Sequence, residues 1–90
     1  MRSENPYVEY LEHGRHHRDG GPAIIYDNGV KVWMKHGRRH RLDGHAIETP
    51  EGYWFKSEYW IEGWKLSKKE FEAKIEEIER EQRKKEIQRD

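Results

Sequence analysis

Ninety residues with 40% charged and 32% hydrophobic side chains, zero formal net charge and no cysteine bound one modest domain. They exclude disulfides and thiolate metal sites, and no apolar stretch approaches the roughly 20 residues of a membrane span. A mean hydropathy of −1.36 leans toward disorder, yet four Trp, five Tyr and two Phe recur at regular places, and each ring can bury about 150–250 Å².

The opening Met1-Arg2-Ser3-Glu4-Asn5-Pro6-Tyr7 has no apolar run behind its charge, so the expectation is no signal peptide and a cytoplasmic protein. Tyr7-Val8-Glu9-Tyr10-Leu11 alternates at period two and predicts a strand, ended by a turn at Gly14. A polar His–Arg loop leads to the apolar strand Ala23-Ile24-Ile25-Tyr26. Asp27-Asn28-Gly29 follows and predicts a tight hairpin turn, because both central residues must tolerate positive φ. Val30-Lys31-Val32-Trp33-Met34 starts the pattern again. Pro50-Glu51-Gly52 supplies the second turn, and Tyr53-Trp54-Phe55 and Tyr59-Trp60-Ile61 the last strands. At Ser67 the character changes. Ser67 with Glu70 is a capping box, and Leu66 with Phe71 the matching staple, which together start a helix. Phe71, Ile75 and Ile78 share one face of it. Glu70–Lys74, Glu76–Arg80, Glu79–Arg83 and Glu81–Lys85 are acid–base pairs four apart, so its last turns to about Gln88 can stay helical in solvent.

These elements repeat. Tyr10-Leu11-Glu12-His13-Gly14-Arg15-His16-His17-Arg18 matches Trp33-Met34-Lys35-His36-Gly37-Arg38-Arg39-His40-Arg41 at a shift of 23. Gly21-Pro22-Ala23 lies over Gly44-His45-Ala46 at the same shift. A third, partial copy opens at Tyr59-Trp60-Ile61-Glu62-Gly63, displaced by 26. Copies therefore run at about 10–32, 33–58 and 59–66. The fold class expected is mainly β (α+β): an antiparallel hairpin-repeat meander of about six strands over 1–66, capped by one charged C-terminal helix over 67–90.

The pattern aromatic-x-x-x-Gly-x-x-His-Arg-x-Asp-Gly-Pro-Ala, and the closing run Tyr59 to Phe71, resemble the short MORN-like repeats of small bacteriophage proteins. The resemblance covers residues 10 to about 72. It implies a phage protein acting in the host cytoplasm. Gly20 stands where the pattern has Asp, and His45 where it has Pro.

Charge is unevenly spread. Between His13 and Arg41 seven basic side chains face two acids, a net of +5, and five of the six His lie there. Arg15, His17, Arg18, Arg38, Arg39, His40 and Arg41 are the candidate residues for an anion or partner, on loops expected side by side along one sheet edge. The alternative is framework: Arg41 paired with Asp43, and His17 and His40 bonded to loop carbonyls. Among the aromatics, expected mostly in the core, Trp54, Trp60 and Trp64 are candidate interface anchors. No ligand spacing for zinc is present, and adjacent His16 and His17 point apart if extended. Ser3, Thr49, Ser57 and Ser67 complete no catalytic constellation. The reading is a non-enzymatic binding protein without metal or cofactor.

The expected partner is a host protein or protein–nucleic-acid complex, with direct phosphate contact and no membrane. The expected function is to block a host defence or nucleic-acid-handling protein, such as a CRISPR effector, by occupancy. The two rival expectations are a sponge for a nucleotide signal and a structural or assembly protein, the latter including a homodimer through the C-terminal helix.

Overall fold

Strand periodicity and turn chemistry set the element order in the computed structural model, which describes residues 7–87, with side chains described through Arg83. In order these are β1 (Tyr7–Glu9), β2 (Leu11–Glu12), β3 (Arg15–His16), β4 (Ile24–Tyr26), β5 (Lys31–Val32), β6 (Met34–Lys35), β7 (Arg38–Arg39), β8 (Ile47–Glu48), β9 (Tyr59–Ile61), β10 (Trp64–Leu66) and α1 (Lys68–Ile87). The class is mainly β with one C-terminal helix. Ten short strands among the described residues replace the six expected.

The reason lies at Tyr10 and Trp33. The Tyr10 N–H donates to the Ala23 carbonyl, while its own carbonyl accepts from His17 N–H at 3.0 Å. Trp33 does the same between Ala46 and His40. At each aromatic residue the chain leaves one partner for another, so a five-residue strand becomes two. What results is an antiparallel sheet in the order β1-β4-β5-β8 and three separate hairpins, β2–β3, β6–β7 and β9–β10.

Each hairpin turns on two residues of positive φ: His13 and Gly14 (53° and 77°), His36 and Gly37 (51° and 81°), Glu62 and Gly63 (53° and 85°). That pair matches the twist of the flanking strands. The two-residue turn expected at Asn28-Gly29 is absent, since only Gly29 takes positive φ there. Instead Tyr26 N–H donates to Val30 O and Gly29 N–H to Tyr26 O, closing a three-residue connection. Tyr53-Trp54-Phe55 is also no strand. The extra residues of the second copy form a loop instead, closed by Thr49 N–H donating to Ser57 Oγ, and the three rings pack on one another with centroids 4.5–5.9 Å apart.

Ala23, Ile24, Val30, Val32 and Ile47 form the core, with Met34, Tyr53, Phe55 and Trp60 packed against it. Ala46, Ile61 and Phe71 are also buried. The tryptophans do not fill this core as expected: Trp33 and Trp60 are half-buried, while Trp54 and Trp64 are exposed.

Helix α1 starts as its sequence dictates. Glu70 N–H donates to Ser67 Oγ and Ser67 N–H to the Glu70 carboxylate, the reciprocal pair of a capping box. Glu70 is thereby drawn away from Lys74, which lies 3.6 Å from Glu77 instead, and Arg80 reaches Glu76 at 4.0 Å. Glu79–Arg83 forms no ion pair among the described residues. Lys85 and Gln88, named in the expected pairs and boundary, lie outside the described side chains. No helix is long and apolar enough to cross a membrane among the described residues.

Candidate functional site

The repeat signature resolves into a joint that appears twice. Where the first hairpin meets the second, Gly37 N–H donates to His16 O (2.9 Å), and Arg18 N–H to Met34 O (3.3 Å). His36 N–H donates to the ring Nδ1 of His17 at 3.0 Å. Where the second meets the third, Gly63 N–H donates to Arg39 O (2.8 Å) and Arg41 N–H to Trp60 O (3.1 Å). Glu62 N–H donates to His40 Nδ1 at 3.0 Å. His17 and His40 therefore accept backbone N–H groups rather than bonding loop carbonyls as expected. An acceptor nitrogen must carry no proton, and burial holds the His40 pKa below its ordinary value, with Lys35 adding to the effect and Glu62 opposing it.

Arg18 and Arg41 complete the joint from the other side. The Arg18 guanidinium lies 4.0 Å from the Tyr10 ring centroid, and that of Arg41 3.7 Å from Trp33. Arg18 donates to the Pro22 carbonyl and Arg41 to the His45 carbonyl. Each guanidinium rests on a glycine, Gly21 or Gly44, where an added Cβ would stand only 3.0–3.1 Å away. Arg41 also bonds Asp43 and Glu48, both at 2.8 Å. Partial burial works against its charge, but these two carboxylates outweigh that and raise its pKa above the ordinary value. Four of the seven candidate cationic or imidazole residues, His17, Arg18, His40 and Arg41, thus carry framework contacts.

The other three stand differently. Arg15 and Arg38 each follow a turn glycine and are exposed. The Arg15 stem lies over Gly37, and the Arg38 stem over Gly63, at 3.6–3.9 Å from the Cβ position. Arg38 comes no nearer than 3.8 Å to Glu62. Arg39 rests its guanidinium 4.8 Å from the Trp60 centroid. Neither Arg15 nor Arg39 has an ion-pair partner among the described residues. Trp64 occupies in the third hairpin the place of Arg15 and Arg38, and is 74% exposed. The loops expected to be neighbours are neighbours, and their outermost side chains form one row: Arg15, Arg38, Trp64.

Beside the row runs an open groove of about 370 Å³, lined by Arg15, Lys35, His36, Arg38, His40 and Glu62. Several polar side chains around the groove already have partners. His16 contacts Glu9 at 2.7 Å and His17 contacts Glu12 at 3.3 Å. Lys35 reaches Asp19 at 2.8 Å, and that contact holds the Asp19 carboxyl below its usual pKa.

Of the three candidate aromatic anchors, Trp60 belongs to the framework: its indole N–H donates to Glu58 at 2.9 Å and its ring packs on the core. Trp54, 83% exposed, and Trp64 remain free of such roles. The helix face of Phe71, Ile75 and Ile78, expected to pack on the open end of the sheet, does so at Phe71, which is buried and stacks 4.3 Å from Tyr59, while Ile75 and Ile78 are half-buried. Among the described residues, no three His, Asp or Glu side chains converge as metal ligands.

Sequence reasoning missed the stacking of Arg18 on Tyr10 and of Arg41 on Trp33. The signal was present: in both copies the arginine follows the aromatic by eight residues and precedes a glycine by three. It also missed Trp64 as the third member of the row, which the 26-residue displacement aligns with Arg38. Compared with known proteins, the chain matches no family model, no curated protein and no solved structure.

Proposed function

We propose that this chain is a non-enzymatic binding protein that blocks its partner by occupancy, through the row Arg15, Arg38 and Trp64, with Arg39 on the other face of β7 as a separate contact. The observation that carries the reading is the stacking itself. The arginine stems lie in line over the turn glycines, so part of their side-chain freedom is already given up before docking. Two of the three arginines have no acid to satisfy them among the described residues. A planar guanidinium suits carboxylate and phosphate alike, and an exposed tryptophan in the same line suits a pocket rim or an unstacked base. The partner that fits is an acidic or phosphate-bearing surface of a nucleic-acid-handling protein or its complex. The resemblance to small phage repeat proteins supports a host defence component, such as a CRISPR effector, as that partner, encountered in the host cytoplasm.

The test is capture from host lysate with and without nuclease, using wild type and the variant Arg15→Glu, Arg38→Glu, Arg39→Glu. Wild type should retain a partner that the triple variant loses, and nuclease sensitivity tells phosphate from carboxylate. Retention of the partner by the triple variant would sink the proposal. A second reading, a sponge for a nucleotide signal, is favoured by the 370 Å³ groove against Arg15 and Arg38. A thermal shift with nucleotides that disappears in Arg15→Glu would support it.

A further inference from the structure

Each joint has a giving side and a receiving side. The giving side is an extended tripeptide offering a carbonyl, an acceptor ring and an N–H: His16-His17-Arg18, then Arg39-His40-Arg41. The receiving side is a carbonyl on the second residue of the hairpin and the two N–H groups of the turn: Met34 with His36-Gly37, then Trp60 with Glu62-Gly63. The first hairpin has the same receiving side in the same conformation. Leu11 shares the register of Met34, and its carbonyl points away from β3 because the neighbouring Tyr10 carbonyl is the one that accepts from His17. His13 and Gly14 share the φ values of the later turns. No described residue bonds the Leu11 carbonyl or the His13 and Gly14 N–H groups. Leu11 is 55% exposed, whereas Met34 and Trp60 at the same position are half-buried.

We infer that this face is a docking site for an extended peptide segment of a partner carrying a histidine followed by a residue with a free backbone N–H. The segment adds to the stack as the first hairpin adds to the second, by strand addition. Main-chain bonds to Leu11 and Gly14 set the register, and an imidazole accepting from His13 N–H sets the specificity. A second copy of the chain is not the occupant. At the positions of His40 and Arg41 its last hairpin has Leu66 and Ser67, and Ser67 is already spent on the start of α1. The far end of the stack is thus closed by its own helix, while the near end keeps its bonding groups open. This site adjoins Arg15 at the end of the row but uses backbone groups rather than the arginines, so its fate does not decide that proposal.

The probe is a synthetic peptide of residues 33–41, titrated into full-length 15N-labelled protein. Saturable shifts centred on the amides of Glu12, His13 and Gly14 are expected. A peptide carrying His40→Ala should bind about tenfold more weakly, the loss of one hydrogen bond to a specific acceptor. A Leu11→Glu protein, altered at an exposed position and checked for unchanged circular dichroism, should lose the shifts. Equal binding of the His40→Ala peptide, shifts centred elsewhere, or no saturable shift would overturn the inference. So would an unliganded dimer in solution that protects Leu11.

Discussion

Replacing Arg41 with alanine separates framework from contact surface. The side chain is only 17% exposed, and it spans Trp33, the His45 carbonyl and Glu48. Losing the stack on Trp33 costs about 1 kcal/mol. Losing the two part-buried hydrogen bonds costs about 1–1.5 kcal/mol each. The bond to the mostly exposed Asp43 adds little. The sum is about 3–4 kcal/mol, a large fraction of the stability of so small a domain, and should lower Tm by about 10 °C or more. Arg18→Ala removes a looser stack on Tyr10, at 4.0 Å, and one bond to the Pro22 carbonyl at 3.2 Å, so it should cost less, about 1–2 kcal/mol. Urea titration followed by tryptophan fluorescence reads both. If Arg41→Ala stays within about 0.5 kcal/mol of wild type, or Arg18→Ala costs more, the joint does not bear the weight assigned to it, and the arginine returns to the list of partner contacts.

Acid should loosen the stack. Because the folded pKa of His40 lies below its ordinary value of 6.5, the unfolded chain takes up the proton first, so stability held above that value is lost as pH falls through and below it; a urea midpoint unchanged between about pH 7.5 and about pH 5.5 would contradict this, and His40→Asn, which keeps an acceptor, should flatten the dependence. Ser67→Ala removes the cap seen at Glu70 N–H and should cost about 0.5–2 kcal/mol, read as weaker amide protection in the first turn of α1 with the sheet amides unchanged. Trp54→Ala and Trp64→Ala, at exposed positions, should leave stability within about 0.5 kcal/mol, whereas Trp60→Ala, which strips a ring from the core and a bond from Glu58, should cost about 2 kcal/mol or more by the same urea titration.

Much of this architecture was legible because the 23-residue echo is a statement about bonding. Gly14, Gly37 and Gly63 mark the three hairpin turns, and Ser67 with Glu70 marks the helix start, since each depends on residues adjacent in the chain. What was not legible depends on partners far away. Nothing local says that the chain changes partner at Tyr10 and Trp33, so two long strands were read where four short ones exist. The aromatic run at Tyr53 looks like a strand by propensity, but the Thr49–Ser57 closure bends it into a loop. The candidate site was half legible. Residue type alone put His17, Arg18, His40 and Arg41 beside Arg15, Arg38 and Arg39. Only the positions of Tyr10, Trp33, Gly21 and Gly44 in space separate residues that hold the stack from residues that leave it.

The two joints share a register, and that makes the number of hairpins a free variable. A duplicated 23-residue unit inserted after His17 would offer its neighbours the same carbonyl, ring nitrogen and amide that they already meet, and would leave both ends of the molecule unchanged. Growth by one unit adds another arginine to the line and shifts the later members along it by one step. The length of the row can therefore change by whole units, without redesign of any single contact.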